Sequence, residues 1–101
     1  MLIAFSVAPA TAEGGSMGEA VAEAIRVVRD SGLPHETNAM FTLVEGEYDD
    51  VMAVVKRAVD AVRTRSPRVS LVLKADIREG ATDMLHAKVT SVEEHLRGGA
   101  A

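Results

Sequence analysis

Residues 68–77 read RVSLVLKADI, and the fold turns on how this stretch is read. Val69, Leu71, Leu73, Ala75 and Ile77 alternate with Ser70, Val72, Lys74 and Asp76. That period of two is what a β-strand imposes on its two faces. Pro67 ends whatever precedes it, and Glu79-Gly80-Ala81 turns the chain after it. Upstream, Val51, Val55, Ala58 and Val62 recur at helical spacing, with Val54 and Val59 widening the stripe. Asp49 and Asp50 suit the positive end of that helix's dipole, and Arg63 and Arg65 suit the other end.

Further upstream, His35–Met40 and Phe41–Glu45 read as a hairpin with its turn near Ala39–Phe41, although no Asn-Gly or Asp-Gly marks it. Gly32 is placed to end an earlier helix and Pro34 forbids its continuation. That helix opens on a capping box, Ser16 with Glu19, and carries Met17, Val21, Ala24, Ile25 and Val28 on one stripe. Before it, Leu2–Ala8 is a strand with two largely apolar faces, Ile3, Phe5 and Val7 on one and Leu2, Ala4 and Ser6 on the other. After the 68–77 strand, Thr82 is a candidate cap for a last helix, in which Leu85, Val89, Val92 and Leu96 share a face. The order is β-α-β-β-α-β plus a C-terminal helix, an α+β, ferredoxin-like sandwich on a four-stranded antiparallel sheet. Its first and third strands are central. The expected organisation is one domain over residues 1–97 and a flexible tail over 98–101.

Composition bounds the function. The 101 residues suit one domain, and 48% hydrophobic content is far above that of a disordered chain. Aromatics are 3%, so the core is aliphatic and stacking platforms for single-stranded nucleic acid are nearly absent. A net charge of −4 offers no basic footprint for a phosphate backbone. With no cysteine there are no disulfides, thiolate metal sites or cysteine nucleophile. No apolar run approaches the roughly 20 residues of a membrane span. The expectation is a cytoplasmic protein without nucleic-acid or membrane partners.

Few residues carry candidate chemistry. His35, His86 and His95 lack the spacing of a two-ligand helical face, so no metal site is expected. Gly14-Gly15 before a helix lacks the lysine of a P-loop and the spacing of a dinucleotide fingerprint. Ser6, Ser16 and Ser70 have no nucleophile-elbow context, so no catalytic residue is assigned. Two polar clusters remain: Asn38, Thr42 and Glu45 on the hairpin, and Lys74, Asp76 and Arg78 on the last strand. The pattern alone favours solvated edge charges or an intersubunit salt bridge over one wall of a site. The sheet face bearing Leu2, Ala4, Ser6, Ser70 and Val72 is too apolar for open solvent. The last helix, a second chain or a ligand covers it, and a second chain is favoured.

The same residues resemble a known family, the small thiamine-binding proteins of the ferredoxin-like class. The resemblance rests on Val7-Ala8-Pro9, the helix from Ser16, Thr42-x-x-Glu45-Gly46-Glu47, Asp50-Val51-Met52, Lys74-Ala75-Asp76-Ile77-Arg78 and Lys88-Val89-x-Ser91-Val92-Glu93. It spans about residues 2–96. Where the family tends to have Pro-Met-Gly-Thr, this chain reads Ala39-Met40-Phe41-Thr42, so a phenyl ring stands at a glycine position. The resemblance implies non-catalytic binding of thiamine or its hydroxymethylpyrimidine moiety, with no cofactor, by a homodimer or homotetramer. It implies Asn38, Thr42, Glu45 and Asp76 as ligand-binding residues. Glu45 or Asp76 would accept from the exocyclic amine or offset the thiazolium charge, and Asn38 and Thr42 would bond the ring nitrogens. Two rivals stand beside this reading. One is a structural or regulatory oligomer without ligand. The other is an enzyme that pairs His35 with Glu45 or Asp76.

Overall fold

A computed structural model of the chain describes residues 1–10, 17–80 and 82–98. The elements are β1 (Leu2–Pro9), α1 (Met17–Asp30), β2 (His35–Thr37), β3 (Thr42–Glu45), α2 (Tyr48–Arg63), β4 (Val69–Asp76) and α3 (Met84–Leu96). The order is the β-α-β-β-α-β plus helix expected from the pattern. The strands lie in the order β2-β3-β1-β4, every neighbour antiparallel, so β1 and β3 are central. The expected glycine pair Gly14-Gly15 and capping serine Ser16 fall outside the described residues.

β1 divides its side chains as its alternation requires. Ile3, Phe5 and Val7 are buried and face α1 and α2, with Val44 and Thr42 of β3 opposite Ile3 and Phe5. From α2, Val51, Val54, Val55, Ala58 and Val62 join them. From α1 the buried residues are Ala20, Ala24 and Val28: Ala24 and Val28 belong to the expected stripe, Val21 and Ile25 are half-buried and Met17 is exposed, so the stripe is turned toward Ala20. The alanines on both helices explain the rotation: a Cβ-only surface lets two helices and a sheet approach closely, and bulkier neighbours go to the rim. Arg65 bridges the helices outside, its Nη2 donating to Glu23 at 2.6 Å and its Nη1 to Glu19 at 3.3 Å.

The hairpin is shorter than its apolar pattern suggested. β2 has 3 residues and β3 has 4. The turn spans Asn38–Phe41, because the Asn38 carboxamide oxygen accepts from the backbone N–H of Met40 at 2.8 Å and of Phe41 at 2.9 Å. This Asx-type closure replaces the missing Asn-Gly signal.

β4 runs from Val69 to Asp76, one residue shorter at each end than the expected 68–77, and neither of its faces is sealed. Leu71 and Leu73, on the side of the core, remain 42% and 37% exposed, and Val72, on the other side, 54%. The two helices lie chiefly over β1, and α2 also reaches β4, where Val69 packs against the core while the leucines stay partly bare. The last helix also begins differently from expectation. It starts at Met84 after Asp83, which sits at φ 54°, and no neighbouring side chain caps it. Thr82 is not its cap.

Candidate functional site

The registers place two acids in one row. Leu2 lies opposite Glu45 on one side and opposite Asp76 on the other. Directly opposed residues share a sheet face, so both carboxylates flank Leu2 on the face away from α1 and α2, each one strand spacing of about 4.8 Å from it. This is the face that the sequence left without a cover.

α3 lands on this end of that face with its first two turns. Met84 N–H donates to Glu45 Oε2 at 2.7 Å, and Leu85 N–H to Glu45 Oε1 at 3.1 Å. Met84, Leu85 and Glu45 are all buried. Glu45 thus supplies the cap that α3 lacks locally. It satisfies N–H groups that no intrahelical carbonyl can reach and puts a negative charge at the positive end of the helix dipole. Lys88 donates to Asp76, and His86 Nε2 lies 3.5 Å from Glu36 Oε1. One helix is therefore held by an acid from each of β2, β3 and β4.

Two of these anchors titrate. The hydrogen bond from Lys88, and then its charge, hold the Asp76 carboxyl below its usual range. His86 is pushed up, chiefly by its hydrogen bond to Asp83 and further by the charges of Asp83 and Glu36. A raised histidine stabilises the folded state in full below its ordinary value of 6.5 and loses that contribution as pH rises through the higher folded value. The expected result is that the His86 ring resonances titrate above those of His in the unfolded chain. Glu36→Gln should move the His86 midpoint down. An unchanged midpoint would show that Glu36 does not reach the ring.

Beside the anchors lies a cavity of about 930 Å3. Glu45, Glu47, Asp50, Glu79 and Asp83 reach its wall against Arg78 and His86, and Leu33, Ile77 and Leu85 form its apolar part. Tyr48, at the start of α2, adds an aromatic ring. The wall sets a net-acidic group of charged side chains around an aliphatic patch and one phenol ring, a composition suited to a small cation with an apolar body. Among the described residues, no group of three or more His, Cys, Asp or Glu is placed to hold a metal ion. No helix there is long and apolar enough to cross a membrane.

The residues singled out by sequence fall in different places. Glu45 borders the cavity, and Asp76 sits in its row on the same face. Thr42 is on the opposite face, opposite Phe5, with its hydroxyl 3.3 Å from that of Thr37. Asn38 closes the hairpin turn. His35 points its Nδ1 at the carbonyl of Leu33, 2.8 Å away, and is not among the residues that line the cavity. Phe41 is not among them either; the ring that is present comes from Tyr48. Sequence reasoning passed over Tyr48 because it reads as the first residue of a helix. Its place three residues after Glu45, across Gly46, was the available signal.

Comparisons with known proteins bear on the family and the fold. The family model for thiamine-binding proteins matches residues 3–93. A UPF0045 protein of Mycobacterium bovis is 58% identical over 97 residues, which are 95% of this chain and 94% of that protein. Among solved structures, a hypothetical protein of Methanocaldococcus jannaschii superposes with a TM-score of 0.80 at 31% identity, covering 92% of this chain and 95% of that one. A Thermotoga maritima protein provisionally assigned to thiamine biosynthesis or salvage superposes with a TM-score of 0.77 at 27% identity, covering 90% of this chain and 96% of that one. A family match over nearly the whole length, joined to the same fold in these relatives, makes this chain a member of the thiamine-binding protein family.

Proposed function

We propose that the chain binds thiamine or a related hydroxymethylpyrimidine without turning it over, and does so as a homo-oligomer. The observation that carries this reading is Glu45, a buried acid at the end of a central strand that borders a net-acidic cavity with an aromatic ring in its wall. Each Glu45 oxygen already accepts one backbone N–H, and a carboxylate oxygen has room for a second donor. An exocyclic amine is such a donor. The thiazolium cation is offset by the surrounding acids, and the Tyr48 ring offers it a face. Asp76, Asn38 and Thr42 are the further binding residues that the resemblance implies, and they enter the same test.

Calorimetric titration with thiamine and with hydroxymethylpyrimidine should give heat and a thermal shift. Neither signal at millimolar ligand would overturn the reading. Tyr48→Ala is expected to weaken thiamine by about tenfold, the value of a partly desolvated cation–aromatic contact. Asn38→Ala and Thr42→Val separate direct ligand contact from a role in the hairpin alone. The first outcome weakens binding at unchanged melting temperature, and the second lowers the melting temperature at unchanged affinity. The rival reading, an oligomer with no ligand, is favoured by the bare outer strand β4. An assembled protein that gives no heat with either compound would select it.

A further inference from the structure

α3 belongs to the fold through its first two turns. Met84 and Leu85 are buried, whereas Val89, Val92 and Leu96 are exposed. The core cluster of the sheet, α1 and α2 contains no α3 residue. Polar anchors do most of the holding: Glu45 on Met84 and Leu85, Asp76 on Lys88, and Glu36 beside His86. An element with few buried apolar contacts opens ahead of the fold as a whole.

The same two turns are a wall of the cavity. Leu85 and His86, with Asp83 just before the helix, line it from one side. Glu47, Tyr48 and Asp50 line it from the start of α2, and Glu45 also borders it. Glu45 joins the two roles. Its oxygens lie 2.7 Å and 3.1 Å from the Met84 and Leu85 nitrogens. A donor on a remaining lone pair of that carboxylate sits about 3 Å from the same oxygens, and so within van der Waals range of the first turn of α3. If the helix leaves, the carboxylate loses the two backbone donors that fix its orientation. The cavity then loses Leu85 and His86 as well.

We propose that α3 is a ligand-coupled clasp: Leu85 and His86 are binding residues of the cavity, and an occupant of the cavity and the docked helix stabilise each other. The inference rests on the binding reading of the proposed function and names how that site is regulated. A carboxylate oxygen accepts two donors, so the ligand amine adds to the helix N–H and need not displace it. The coupling is reciprocal: what docking of α3 adds to affinity, the ligand adds to docking. With α3 open the site is half-built, and the apparent affinity falls with the docked fraction.

Amide hydrogen exchange of the full chain tests this, with and without thiamine at about a hundred times its calorimetric Kd. Any opening that destroys the site is then suppressed about a hundredfold. Amides of β1 and α2 exchange through global unfolding and should slow by that factor. Those of Met84, Leu85 and the turn that follows should slow by the same factor, because opening of α3 alone already destroys the site. Unchanged exchange in α3 beside slowed exchange in β1 and α2 would overturn the clasp and leave the binding reading standing. Faster exchange in α3 would mean that the ligand displaces the helix from Glu45, and would overturn the clasp too. No heat and no slowing in any element would overturn the binding reading, and the clasp with it. A variant gives a second readout. Met84 is buried but is not among the residues that line the cavity. Met84→Asp sets a charge in that buried place, beside Glu45, and should undock α3 while β1 and α2 stay protected. Thiamine should then bind at least about tenfold more weakly, although the added negative charge by itself favours a cation. Unchanged affinity in this variant, with its α3 amides unprotected, would overturn the clasp.

Discussion

Replacing Glu45 by alanine is expected to free the first turn of α3 from the sheet, at a cost of about 2–3 kcal/mol, the value of hydrogen bonds to a buried charge. Both carboxylate oxygens accept from the start of the helix, at 2.7 Å and 3.1 Å, and no neighbouring side chain can take over. Amide hydrogen exchange reads the effect by element. Amides of α3 should lose protection while those of β1 and α2 keep theirs, because the core cluster of the sheet, α1 and α2 contains no α3 residue. Glu45→Gln is the milder form. It keeps the shape and one acceptor but turns an amide donor toward Met84 or Leu85. Equal loss of protection across the whole fold would mean that Glu45 supports the core and not the helix.

Phe5→Ala should be the most damaging single change, about 3–5 kcal/mol, as large-to-small substitutions at sealed aromatic sites are. Phe5 is 1% exposed and is the largest of the fully buried side chains. It sits on the central strand between Thr42 and Leu73. Because the surrounding core is valine and alanine on helices, little of the vacated volume can be refilled by rotamer changes. Small domains have only about 5–15 kcal/mol to lose, so the urea midpoint should fall by a third or more. Phe5→Leu should cost far less. A midpoint shift below that of a surface substitution would place Phe5 outside the cooperative core.

What was legible in the sequence depended on how local the cause was. β1 was readable face by face, with its end one residue later than expected, at Pro9, because its alternation and its burial have one origin. α2 was readable for the same reason. β4 was readable as a strand but not as a bare one. Alternation tells which side chains share a face, and says nothing of whether a helix lies over that face. On α1, Ala24 and Val28 were readable, but Ala20 was missed and Met17 was included, because close helix packing favours a small residue there. Thr82 was proposed as a cap because caps are usually adjacent, whereas the actual cap comes from 39 and 40 positions upstream. Glu45 was singled out as an acid without a local purpose, and that was the visible trace of a distant partner. The choice between a pocket and a seam had no such trace, since Glu45 borders a cavity and holds a helix at once.

The way α3 is fastened also sets when it can arrive. Its acids stand on β2, β3 and β4, strands brought side by side only once the sheet has closed. An unfolded α3 therefore finds no landing place before the sheet has formed, and it follows every strand of that sheet in the chain. Its anchors are expected to form late on the folding route, after the transition state. Weakening them should speed unfolding and leave the folding rate untouched, so α3 acts on the lifetime of the native state more than on the ease of reaching it.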